Sequence, residues 1–211
     1  MRNYKTYCIL VVLIIKSFFV FSQNDTITTT QKNKTKIAKI VEKGFLVGYG
    51  YGLDNLLNIP EGNYRPIFLI YKLGRIFPKL EKNIGNGPMR FRFYAEYQII
   101  PVMLQKNGVT KWEFELGNSN GLQFIYKISN KLDIYGLIGS GLHYFSTKTE
   151  RQKSGIIFSD NMDAGIYYHT SNEWSVNFAF RIRHMSNANL WMPNHGINTS
   201  NFLIGLSKNI K

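Results

Sequence analysis

Trp174-Ser175-Val176-Asn177-Phe178-Ala179-Phe180-Arg181-Ile182-Arg183 is the stretch that decides the fold. Successive side chains on a strand point to opposite faces. Trp174, Val176, Phe178, Phe180 and Ile182 therefore share one apolar face, and Ser175, Asn177, Ala179, Arg181 and Arg183 share the other. Two arginines pointing one way and large apolar groups pointing the other is a two-sided strand, not a helix stripe.

The same period of two runs outward from it in both directions. Phe91, Phe93, Ala95, Tyr97 and Ile99 oppose Arg92, Tyr94, Glu96 and Gln98. Further on, Trp112, Phe114, Leu116, Leu122, Phe124 and Tyr126 oppose Glu113, Glu115, Ser119, Gln123 and Lys127. Eight candidate strands follow, at 44–52, 65–75, 90–101, 112–128, 132–146, 156–169, 173–186 and 199–210. Alternation alone fits a soluble barrel with an apolar interior as well as a membrane barrel with an apolar exterior. Strand length, an even count and charged faces carrying both signs favour the second, an all-β, eight-stranded antiparallel transmembrane β-barrel whose narrow lumen is plugged by paired side chains. After the first residues no segment is apolar enough for a membrane helix, and a closed barrel is the other way to satisfy a backbone in lipid.

Arg2 and Lys5 precede an apolar run from Cys8 to Phe21, which ends at Ser22 and polar Gln23. This is the pattern of a secretory signal peptide, assigned to residues 1–22. Residues 23–43, rich in Thr, Lys, Asn and Gln, read as a polar leader with at most a short helical turn at Ile37–Val41, and the barrel is assigned to 44–211. Cleavage would remove Cys8, the one cysteine, and with it any thiol chemistry. It would also remove Arg2, Lys5 and Lys16, leaving +10 of the formal +13. An exported basic chain meets phosphorylated lipid head groups, so the expected partner is outer-membrane lipid and not nucleic acid. With the N-terminus starting in the periplasm, the links 129–131 and 170–172 are expected to be periplasmic and the shortest, while the longer link 76–89 departs from that rule. The chain also ends on Asn209-Ile210-Lys211, without the aromatic common at the end of such barrels.

The chemistry-bearing stretch is His184-Met185-Ser186-Asn187-Ala188-Asn189-Leu190-Trp191-Met192-Pro193-Asn194-His195-Gly196-Ile197-Asn198. His184 and Ser186 continue the even-numbered apolar face, so a base and a nucleophile share the outer side of the wall. On the last strand Ser200, Phe202, Ile204 and Leu206 face outward, which puts Asn198 on the same side as His184, where its amide oxygen can accept the His184 Nδ1–H. His143 and His169 fall on inward faces, and His195 lies in a loop. The four histidines make no metal set. Trp112, Trp174 and Trp191 sit near strand or loop ends, as girdle aromatics do.

The stretch resembles the lipid A 3-O-deacylase family, outer-membrane barrels that remove an ester-linked acyl chain from lipopolysaccharide. The family pattern is met at His184, Ser186, Asn187, Ala188, Pro193, Asn194, Gly196 and Ile197. The resemblance implies His184 as general base, Ser186 as nucleophile and Asn187 at the oxyanion, with Asn194 toward the substrate and no cofactor. It implies lipopolysaccharide, through its lipid A, as partner. A homodimer stays open. Two positions depart from the pattern: Asn198 stands where the family has its triad Glu, and Asn189 stands where it has Gly. An amide can orient a histidine but supplies no charge to an imidazolium. A non-catalytic barrel with a lipid-binding or structural role is therefore the alternative.

Overall fold

The computed structural model describes residues 39–53, 63–76 and 87–210. The signal peptide and most of the polar leader lie outside the described residues, as does most of the link 76–89. Eight strands follow in order: β1 (Lys39–Gly52), β2 (Asn63–Ile76), β3 (Met89–Lys106), β4 (Val109–Lys127), β5 (Leu132–Phe145), β6 (Gly155–His169), β7 (Trp174–Ser186) and β8 (Ile197–Asn209). Each pairs antiparallel with the next, and β1 closes on β8 from Glu42↔Asn209 to Gly52↔Thr199. The sheet has no free edge.

The side-chain alternation read from the sequence is the alternation of the wall. On β7 the odd residues Ser175, Asn177, Arg181 and Arg183 are buried, and Phe178, Phe180 and Ile182 are exposed. On β8, Thr199, Asn201 and Leu203 face in while Phe202, Ile204 and Leu206 face out. The interior is stratified. Its middle holds ions: Arg181 donates to Asp163 at 2.8 Å and to Glu96 at 3.0 Å, and Arg183 donates to Glu115 at 2.6 Å and to Ser159 Oγ at 2.7 Å. Toward the start of β1, Arg92 pairs with Glu42, while Tyr167 Oη donates to Glu42 at 2.9 Å and accepts from Lys72 Nζ at 3.0 Å. These four cations stand against four carboxylates, so formal charge cancels within the set. Burying such groups is tolerable only because the charges offset one another and each cation has a hydrogen-bond partner. At the opposite end Phe68, Ile100, Val102, Phe145, Ile157, Met185 and Ile197 form an apolar plug.

Three expectations need correction. Residues 39–43 belong to β1 rather than to the polar leader, and 39–41 are strand rather than a helical turn; starting the strand there brings Glu42 into the lumen beside Arg92, a gain that local composition does not reveal. β3 and β4 run on to a two-residue hairpin at Asn107-Gly108, beyond the reach expected for either strand. Asn107 (φ 51°) and Gly108 (φ 77°) supply the two positive φ angles that match a tight turn to twisted strands. That hairpin is shorter than the links β4–β5 and β6–β7, and it lies at the other end of the barrel from them. Pro66 on β2 and Pro101 on β3 are accommodated at a gap: Pro66↔Val102 and Leu69↔Ile99 are paired, with the ladder interrupted between them. Proline has no N–H to give a ladder, and the register is the same on both sides of the gap.

Candidate functional site

The site forms where β7 ends and β8 begins, at the same end as the β3–β4 hairpin and the β5–β6 connection. His184 pairs with Asn198 across the β7–β8 ladder, and Met185 pairs with Ile197. The even parity puts His184, Ser186 and Asn198 on the outer side of the wall, each half-buried. Between the first two, Met185 points inward and is fully buried in the apolar plug, which fixes the strand end from beneath. His184 Nδ1 lies 2.7 Å from Asn198 Oδ1. An amide oxygen only accepts, so Nδ1 carries a proton, and in the neutral ring the lone pair is then on Nε2. Among the described residues no hydrogen bond joins Ser186 Oγ to the ring. Catalytic hydrogen bonds are often long in unliganded proteins and tighten with substrate.

The loop 187–196 is tied by its own asparagines. The Asn187 backbone N–H donates to Asn194 Oδ1 at 2.7 Å, Asn187 Nδ2 donates to the Trp191 carbonyl at 2.7 Å, and Asn194 Nδ2 donates to Asn189 Oδ1 at 3.0 Å. Asn187 itself is 1% exposed and sits inside the loop. Ala188 (φ 53°) and Asn189 (φ 62°) take left-handed backbone, which Asn tolerates better than most residues, so the departure from Gly at 189 is accommodated. The tip Leu190-Trp191-Met192 presents apolar groups outward, Met192 at 70% exposure.

Two contacts had no visible signal in the sequence. Gly196 (φ 74°) packs on the histidine: a Cβ there would lie 2.7 Å from His184 Cε1 and 3.1 Å from the Met185 carbonyl oxygen. Arg151, Gln152 and Lys153, from the distant β5–β6 connection, run antiparallel against the same loop, with Gln152↔Asn194 as a bridge and Lys153 N donating to the Pro193 carbonyl at 3.0 Å. Nothing in their spacing announces a partner more than forty residues away, as the bridge and the Arg151 bond to Gly196 require.

The other histidines fall elsewhere. His143 is buried in the lumen, 3.4 Å from Ser119 Oγ and 3.3 Å from Arg183 Nη2. His169 lies 2.7 Å from Ser175 Oγ and 2.9 Å from Asp133 Oδ2 near the opposite mouth. His195 is an exposed loop residue.

A closed eight-stranded barrel with an apolar outer belt and a filled lumen is the architecture of a small outer-membrane protein. Solved structures similar to the chain agree. The outer membrane enzyme PagL matches at 15% identity with a TM-score of 0.56, covering 77% of this chain and 97% of that one. Neisserial surface protein A matches at 12% identity with a TM-score of 0.56, covering 82% and 99%. At such identities the likeness establishes the fold. No curated protein sequence matches the chain. The model of the lipid A 3-O-deacylase (PagL) family matches residues 90–207, which take in β3 through most of β8 and the whole site. The chain belongs to the lipid A 3-O-deacylase (PagL) family.

Proposed function

We propose that this protein hydrolyses an ester-linked acyl chain of lipopolysaccharide at the outer, lipid-facing side of its wall, with Ser186 as nucleophile and His184 as base. The observation that carries the reading is the 2.7 Å contact between His184 Nδ1 and Asn198 Oδ1, two residues from a serine on the same face. It leaves Nε2 as the free base on the side where acyl chains lie. Ser186 Oγ adds to the ester carbonyl carbon as its proton passes to His184 Nε2. Collapse of the tetrahedral intermediate expels the sugar oxygen, which takes that proton back. Water, activated by the same nitrogen, then releases the fatty acid from Ser186. The backbone N–H groups of exposed Ala188 and Asn189 supply donors for the oxyanion, and buried Asn187 shapes the turn that carries them through its bond to the Trp191 carbonyl. Asn194, which holds Asn187 and Asn189 together, keeps that turn in shape on the substrate side. The apolar tip Leu190-Trp191-Met192 suits a loop resting among acyl chains. No cofactor enters this chemistry.

The neutral Asn198 favours a second reading, a barrel that keeps the site but binds lipid without turning it over. Mass spectrometry of lipid A from cells with and without the protein separates the two. Loss of one hydroxyacyl group, abolished by Ser186→Ala, supports the hydrolase. An unchanged spectrum from correctly folded protein leaves the binding role.

A further inference from the structure

The 146–154 connection between β5 and β6 reaches across to the loop that follows Ser186, and it does so through a buried cation. Arg151 is 7% exposed. Its Nε donates to the Gly196 carbonyl at 2.9 Å and its Nη2 to the His195 carbonyl at 3.3 Å. The His195 N–H donates back to the Arg151 carbonyl at 2.8 Å. The peptide held in this way is the one whose Cα packs on the His184 ring, since a Cβ on Gly196 would stand 2.7 Å from Cε1 and 3.4 Å from Nε2. The neighbouring ring atom, Nδ1, is engaged by Asn198. His184 is thus held at Nδ1 by an amide on β8 and at Cε1 by a glycine backbone whose carbonyl is bonded by an arginine from another connection.

We infer that Arg151 is a positioning residue for His184, acting through Gly196. It acts on the backbone carbonyls of Gly196 and His195. Charge-assisted hydrogen bonds to two successive carbonyls are stronger than neutral ones and fix the direction of a peptide plane. Without them, Gly196, in its left-handed conformation, is released from the ring. The imidazole then gains freedom to turn away from Asn198, which lowers the fraction of molecules with Nε2 presented toward Ser186. The inference rests on the proposed role of His184 for its catalytic consequence, but its structural content, an ordered Nδ1–H bonded to Asn198, does not.

The test uses the full-length protein refolded in detergent and labelled with ¹⁵N-histidine. The parent should give a protected Nδ1–H resonance that vanishes in Asn198→Ala. In Arg151→Ala that resonance should be lost to exchange while the heat-dependent gel shift of the folded barrel stays intact. Arg151→Lys, which can still reach the Gly196 carbonyl, should recover it in part. On purified lipopolysaccharide, kcat should fall about a hundred-fold in Arg151→Ala with KM little changed, because misplacing a base by about an ångström costs that much. Should Arg151→Ala fail to fold, Arg151→Gln takes its place and is read in the same way. Absence of the resonance in the parent, or its persistence in Arg151→Ala or Arg151→Gln, overturns the inference. A parent that shows the resonance but cleaves no lipopolysaccharide refutes the hydrolase reading alone, and the variants still decide the positioning role.

Discussion

At the scale of single residues the informative position is Asn198. It makes the hydrogen bond that a triad acid makes and cannot supply the acid's charge. Asn198→Glu is expected to raise single-turnover hydrolysis of lipopolysaccharide, since a carboxylate stabilises the imidazolium as it forms. Asn198→Ala is expected to lower the rate, because the tautomer is no longer held. Parent rates in both variants would remove Asn198 from the site. Gly196→Ala tests the other side of the ring. The new methyl meets His184 Cε1 at 2.7 Å in a backbone conformation that side chains rarely adopt. The expected outcome is at least a ten-fold loss of turnover, the scale of a small misplacement, with the barrel still showing its gel shift. Retained activity would show that the ring has room to move.

At the scale of the strand, parity is the property to test. Phe178 is 43% exposed on the outer face of β7, midway along it. Phe178→Arg should destabilise the folded barrel by about 2–4 kcal/mol in a lipid-refolding titration, whereas Phe178→Leu should cost far less. Equal effects would place Phe178 away from hydrocarbon. Parity was also what the sequence carried best: β7 and β8 were readable side chain by side chain because the middle of one face of each is apolar, Val176 to Ile182 on β7 and Phe202 to Leu206 on β8. Strand ends were less readable. β1 begins at Lys39 because Glu42 finds Arg92, and β3 continues past Pro101 because Asn107-Gly108 turns it back. Both depend on partners outside the local window. In the site, the pairing of His184 with Asn198 followed from parity, and the grip of Arg151 on Gly196 did not, since it joins two connections that no periodicity governs.

At the scale of the whole molecule, the lumen network should matter more than any surface pair. Arg181 is fully buried and bonded to both Asp163 and Glu96. Arg181→Met leaves two carboxylates facing each other without a cation. Removing one member of a buried ion pair costs about 3–5 kcal/mol. The expected result is a large fall in the temperature at which the compact gel form converts to the extended one, partly recovered when Asp163→Asn and Glu96→Gln are added. No change in Arg181→Met would mean that the carboxylates are hydrated or protonated in the parent.

The same network bears on how the protein is assembled. Its ties mostly join strands that are not neighbours: β7 to β3 through Arg181 and Glu96, β7 to β4 through Arg183 and Glu115, β1 to β3 and β6 through Glu42. A partly curled sheet brings few of these partners together, so an intermediate with only some strands inserted would hold bare charges against hydrocarbon. Closure and neutralisation are one event. The protein should enter its membrane as a nearly finished cylinder rather than strand by strand, and a chain truncated before β7 should stall at the membrane surface.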